Sequence, residues 1–285
     1  MIINRIEGSE MSKINTLLPL RQKRGVLIAT HRGMVCANIP HNTIPAFEIA
    51  LLHGTDLLET DVTRGGDGTM YIFHPGKEKA QFGVDVDIRT MNREEVKGLR
   101  YLNDDRNPTD LGVLTLDAFL ETYKNRCILN LDHGWKCFPD MVRAVRKHDM
   151  ADQILLKAPA TPENLKAVEE LASDMMFMGI MKKEDTITPM LEAMDINYVA
   201  AELLFDREDS PLVTEEYIES HHKKGRLLWC NAIVYNYKTV LSAGHTDDVA
   251  VLGDPDKGWG WIVDRGFDMI QTDWTLLLRN YLDQK

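Results

Sequence analysis

Eight short apolar runs, each followed by a helical pattern and nearly all closing on a polar residue, constrain this chain more than any other feature. They fall at 25–29, 57–63, 127–131, 154–156, 176–181, 198–203, 226–230 and 269–272. Helical segments with clear stops separate them. Asn42-Thr43 precedes a helix at 44–53 that Gly54 ends, Thr115 caps one at 116–124, and Pro139 and Pro162 each open another. Strands alternating with helices imply a parallel sheet. Eight such units in 285 residues suit a closed (β/α)8 TIM barrel, for which about 250 residues is usual. An open doubly wound sheet would need a glycine-rich phosphate loop after the first strand, and Thr30-His31-Arg32-Gly33 is not one.

A barrel places its active site at the C-terminal ends of its strands. The residues there are His31, Glu59, Asp61, Asp132, Lys157, Glu202, Asn231 and Asp273. Side chains alternate along a strand, so Leu57, Glu59, Asp61 and Thr63 share one face. Taken alone, the pattern better fits an edge strand with a solvated acidic face. In a barrel, unpaired buried charges are costly, and the pair reads as a cation site. With Asp132, the carboxylates of Glu59 and Asp61 make an all-oxygen set suited to Mg2+ or Ca2+. The nitrogen and sulfur partners that zinc prefers are not grouped with them.

His31 and His74 exit the first two βα units. Such a pair suits acid-base work near neutral pH, although a lone strand-end histidine is more often a structural hydrogen-bonder. Arg32 offers a planar, bidentate phosphate ligand, and Lys157 is a second candidate for that charge. His133 follows Asp132 into the loop.

Two segments interrupt the pattern. Residues 1–24 read as a peripheral N-terminal extension of the barrel at 25–285. Residues 75–112 are polar and turn-rich, a loop long enough to be an insertion covering the site. Tyr198, Trp229, Trp259 and Trp261 are candidates for the pocket wall, and the last two for contact with lipid. A net charge of −11 argues against a nucleic-acid surface but not against a small phosphorylated ligand. No apolar run is long enough to span a membrane. Cys36, Cys127, Cys137 and Cys230 lack close-paired zinc spacing and read as free thiols. That favours a reducing, cytoplasmic compartment, and a mature secreted form would equally show no leader.

The run His31-Arg32-Gly33, Asn42-Thr43, Ala46-Phe47, Gly54, Glu59-x-Asp61-Val62, Asp67-Gly68 and His74 resembles the glycerophosphodiester phosphodiesterase family. The late segments Trp229-Cys230-Asn231 and Gly266-Phe267-Asp268 through Thr272-Asp273 look like that family's final strands. The resemblance spans most of residues 25–275. It implies a TIM barrel that hydrolyses glycerophosphodiesters to glycerol 3-phosphate and an alcohol. It also implies a divalent metal on Glu59, Asp61 and a third acidic residue, His31 and His74 as catalysts, Arg32 on the phosphate, and an insertion after the second strand. There are three departures. His41 stands where the family has glutamate, Pro75 follows His74 in place of aspartate, and Asp132-His133-Gly134 replaces the usual E-x-K, with Lys157 a possible substitute for the missing lysine. The alternatives are an enzyme acting on intact or lyso-phospholipids, and a homologue that binds metal and diester without turnover.

Overall fold

The computed structural model describes residues 13–285. In chain order its strands are β1 (Leu27–His31), β2 (Leu57–Arg64), β3 (Met70–Ile72), β4 (Leu114–Thr115), β5 (Ile128–Asp132), β6 (Ile154–Ala158), β7 (Met176–Lys182), β8 (Tyr198–Leu204), β9 (Leu227–Asn231) and β10 (Met269–Thr272). Its α-helices are α1 (Leu17–Arg24), α2 (Ile44–Leu52), α3 (Glu78–Phe82), α4 (Arg93–Lys97), α5 (Leu116–Tyr123), α6 (Phe138–Lys147), α7 (Pro162–Ala172), α8 (Thr188–Ala193), α9 (Glu215–His222), α10 (Asp247–Leu252), α11 (Trp261–Arg265) and α12 (Thr275–Leu282). The parallel order β1-β10-β9-β8-β7-β6-β5-β2 closes through pairing of β1 with β2. The expected (β/α)8 barrel is therefore present.

Period-two alternation sorts the strand residues into two populations. Leu58, Val62, Leu129, Leu131, Phe177, Leu228 and Ile270 face outward and pack on helical residues such as Phe47, Phe119 and Val145. Leu27, Leu57, Ile128, Leu155, Met176, Leu227 and Met269 face the barrel axis with Trp229 above them. Burial of each such side chain stabilises the fold by about 1.5–3 kcal/mol. The register pairs Leu57 with Ile128, Glu59 with Asn130 and Asp61 with Asp132. The same inward face thus changes from apolar at the floor to polar at the mouth.

Part of the segment expected as an extension closes that floor. Leu17 of α1 is fully buried among the inward residues. Residues 1–12 lie outside those described. The 75–112 segment is not the open loop that its polarity predicts. It forms α3, a 3-10 turn at Ile88–Thr90 and α4. Tyr71, Phe73, Phe82, Ile88, Val96 and Tyr101 make a small separate core there. Its helices are only five residues long, too short to leave a periodic signal. β3 and β4 extend β2 as an antiparallel flap beside the mouth.

Tyr198 faces the helices, packing against His221, and is not a wall of the mouth. Trp259 is buried, donating Nε1 to Asp247, and Trp261 stacks on His245. Trp259 is therefore unavailable to lipid, and Trp261 is half-buried against the core. Among the described residues no helix is long and apolar enough to cross a membrane. All four cysteines are free.

Asp56 ties the floor together. Its carboxylate accepts from Arg24 Nε at 2.8 Å, Arg279 Nη2 at 2.6 Å and the Ile28 amide at 2.9 Å. One side chain thus joins α1, α12 and β1. Replacing one partner of such a buried pair strands the other charges. Asp56→Ala should cost about 3 kcal/mol, seen as a lower denaturation midpoint with an unchanged slope.

Candidate active site

β1 hands the chain directly into the mouth. His31 ends the strand, and Arg32 follows with φ 56°, a left-handed conformation uncommon for a side-chain-bearing residue. Gly33 has φ +79°, and a Cβ there would lie 2.7 Å from the Ala46 carbonyl carbon. Only glycine lets the turn sit this close to α2. The turn aims Arg32 across to β2, where its Nε lies 2.8 Å from Asp61 Oδ2. Asn42, also left-handed at φ 59°, places Nδ2 3.5 Å from the same oxygen and accepts from Thr60 Oγ1 at 2.9 Å. Asp61 is fully buried, and these groups balance its charge.

The two predicted histidines are held differently. His31 Nδ1 lies 2.9 Å from Asp273 Oδ1 at the end of β10. Burial pushes the His31 pKa down, but the hydrogen bond to Asp273 and the charges of Glu59 and Asp273 outweigh it, and the net shift is upward. His74 Nδ1 lies 2.9 Å from the carbonyl oxygen of Pro75. A carbonyl only accepts, so Nδ1 carries the proton and Nε2 the lone pair when the ring is neutral. The proline that replaces the family's aspartate therefore still fixes the ring, through its backbone. Burial lowers the His74 pKa. The charge of Arg32 acts on both imidazoles. His41 packs 6.4 Å from His31 between ring centroids. Burial and the neighbouring cations push its pKa down to about 4, so it is neutral.

Lys157 sits behind these groups, nearly fully buried. Its ammonium is 2.6 Å from Asp132 Oδ2 and 3.4 Å from Glu202 Oε2, above the Trp229 ring. Burial alone would lower its pKa, but Asp132, Glu202 and Glu59 raise it. Asn231 donates to Glu202 Oε1 at 2.7 Å and accepts from Trp229 Nε1 at 2.9 Å. Gly134, two residues after Asp132, lies in the 3-10 turn that follows β5, where a Cβ would meet the Met141 side chain on α6.

The expected three-carboxylate set is modified. Asp132 is engaged by Lys157 and by the His133 amide at 2.6 Å. Its side chain is a methylene shorter than the glutamate it replaces, and it reaches the ammonium of the adjacent strand. Among the described residues, the donor atoms that converge within 4.8 Å belong to Asp61, His74 and His133. His133, in the loop that follows Asp132, completes this group. It is left-handed at φ 58°, stacks on Trp135 and meets His74 edge-on. Glu59 remains the poorly balanced member. It is 2% exposed, its Oε2 has no hydrogen-bond partner, and burial with the Asp61 charge pushes its pKa up to about 7. An unpartnered carboxylate oxygen beside Asp61 fits a divalent cation.

Comparison with known proteins follows this geometry. A family model described as the glycerophosphoryl diester phosphodiesterase family matches residues 31–188. A second, described as a domain of unknown function, matches residues 175–282. A probable glycerophosphodiester phosphodiesterase 1 of Mycobacterium tuberculosis is 26% identical over 156 residues, which cover 50% of this chain and 54% of that protein. The chain thus spans about half the length of the curated relatives it matches. Among solved structures, a glycerophosphoryl diester phosphodiesterase of Parabacteroides distasonis shares the fold with a TM-score of 0.73 and 16% identity, covering 96% of this chain and 94% of that one. A phosphodiesterase of Oleispira antarctica, in complex with the product sn-glycerol-3-phosphate, aligns with a TM-score of 0.65 and 16% identity, covering 90% and 96%.

The His31–Asp273 pair has a sign that can be checked. A histidine whose folded pKa stands above its unfolded value adds stability that is full below the unfolded pKa and is lost as pH rises through the folded one. Asp273→Asn should lower the His31 titration midpoint, read from its imidazole resonances, and weaken this low-pH contribution. An unchanged midpoint would show that Asp273 does not set the charge of the ring.

Proposed function

This chain belongs to the glycerophosphoryl diester phosphodiesterase family, and from that premise we propose that it hydrolyses glycerophosphodiesters to glycerol 3-phosphate and a free alcohol. The observation that carries the reading is the pair of fixed imidazoles. His31 and His74 are both held at Nδ1, and both feel the charge of the one arginine in the mouth.

In this mechanism Arg32 binds a non-bridging oxygen of the diester and favours the charge that builds up there. One imidazole removes the proton from the attacking hydroxyl, which is water or the glycerol 2-hydroxyl; attack by the 2-hydroxyl gives a cyclic glycerol phosphate, which a water molecule then opens to glycerol 3-phosphate. The other returns a proton to the departing alcohol. Lys157 holds Asp132 and Glu202 in place and keeps the mouth from excess negative charge. Glu59 and Asp61 would hold a divalent cation, Mg2+ or Ca2+, with Asp132 near it. When bound, that ion would supply further neutralisation of the phosphate.

The binding-only alternative rested on Pro75, whose carbonyl nevertheless orients His74. The lipid-surface alternative rested on Trp259 and Trp261; the first is buried against Asp247 and the second is half-buried, its ring stacked on His245.

The test is release of glycerol 3-phosphate from glycerophosphocholine and glycerophosphoethanolamine with Mg2+, with Ca2+ and with EDTA. Activity should vanish with EDTA. His31→Ala should lower kcat/KM by about 10²–10⁴-fold while leaving the thermal transition in place. Full activity in that mutant would overturn the assignment.

A further inference from the structure

We propose that Asp247 is a positioning residue for His31, acting through Asp273. The proposal rests on the phosphodiesterase reading for its catalytic meaning but not for its geometry. Asp247 is the first residue of α10 and is 1% exposed. Three donors converge on its carboxylate. Trp259 Nε1 and Thr272 Oγ1 reach Oδ1, both at 2.8 Å, and the Asp273 amide reaches Oδ2 at 2.8 Å. A carboxylate with its acceptor sites filled by donors from three directions fixes each of them. The third donor is the backbone of the residue whose side chain meets His31 Nδ1 at 2.9 Å.

Asp273 itself lies just past the end of β10 and has no ladder bond at that position. Its side chain is 42% exposed, so packing alone does not immobilise it. The Asp247 bond to its amide supplies that restraint. Thr272 reinforces it, since Oγ1 also accepts from the Trp274 amide at 2.9 Å. The turn that carries Asp273 is therefore pinned by one buried acid at the start of α10. The result is a chain of contacts from α10 to the β10 turn to β1. The Asp247 carboxylate touches neither the substrate site nor His31, so its effect must pass through Asp273.

A buried acid is also a structural support, and the experiment has to separate the two roles. Asp247→Asn removes the charge but keeps the size. It should lower kcat about tenfold or more with little change in KM, and shift the His31 titration midpoint downward. Trp259→Phe removes a different bond to the same carboxylate while leaving the Asp273 bond intact. It should lower the denaturation midpoint without moving the His31 resonance. In an Asp273→Asn background, Asp247→Asn should add nothing further to the shift at His31, the non-additivity expected of residues acting in series. Equal shifts of His31 in Asp247→Asn and Trp259→Phe, or additive shifts in the double mutant, would reduce Asp247 to a structural acid. If the His31 shifts follow this pattern but no glycerophosphodiester is cleaved, the positioning role stands and the proposed reaction fails.

Discussion

The mouth of this barrel buries more ionisable groups than any apolar interior would tolerate, and the arrangement holds because opposite charges interlock. Lys157 is the keystone. Its ammonium is nearly sealed from water, yet it lies between Asp132 and Glu202 and above Trp229. Removing one side of such a group leaves a buried charge uncompensated, which costs far more than the pair itself contributes. Arg32 does the same for Asp61. These pairs fix where each carboxylate points, and a site built on rigid strands needs that fixing. The apolar floor below them, with Leu17 set into it, excludes water from beneath and strengthens every pair above.

Backbone conformation and electrostatics are joined in the loops. Arg32, Asn42 and His133 all have positive φ, and all three approach Asp61. Left-handed residues of this kind persist where surrounding structure over-determines them. Here Asp61 is the shared acceptor, and each loop turns sharply to reach it. Gly33 makes the first turn possible by allowing α2 to press against it. Among the described residues, three of the nine left-handed positions that carry a side chain thus meet at one carboxylate.

What could be read from the sequence was what depends on local period. Alternation alone placed Glu59 and Asp61 on one inward face. The polar strand ends located His31, Asp132, Lys157, Glu202, Asn231 and Asp273 before any fold was known. Pairings across the barrel were not legible in that way. Nothing in the pattern around Asp132 shows that its carboxylate turns to Lys157 on the neighbouring strand. Asp247 lies in an acidic stretch beside Asp248, and only the fold reveals that the first of the two is sealed under the β10 turn. The insertion's small core eluded the reading because its apolar residues are scattered over segments too short to show a period. Tyr198 was misplaced because an aromatic on a strand does not declare which face it takes, and Trp259 because the short helical turn that buries it leaves no periodic signal.

Two of the three departures from the family pattern follow one physical logic. Pro75 and Lys157 each supply another source of an interaction. The carbonyl of Pro75 orients His74 where an aspartate would have, and Lys157 brings an ammonium to Asp132 from the adjacent strand where an in-strand lysine would have stood. The substitutes are not equivalent. A carbonyl has no full charge, so it orients His74 without strongly favouring the protonated ring, whereas Asp273 does both for His31. The two imidazoles are consequently pushed in opposite directions, and their difference originates in what backs each Nδ1. Asp132 is likewise drawn towards a permanent cation. Of the three acidic residues expected to share a metal, Glu59 is then the one with an oxygen left unpartnered. On the proposed function, the position of any bound cation would be governed by Glu59 and Asp61, with Asp132 limited by its commitment to Lys157.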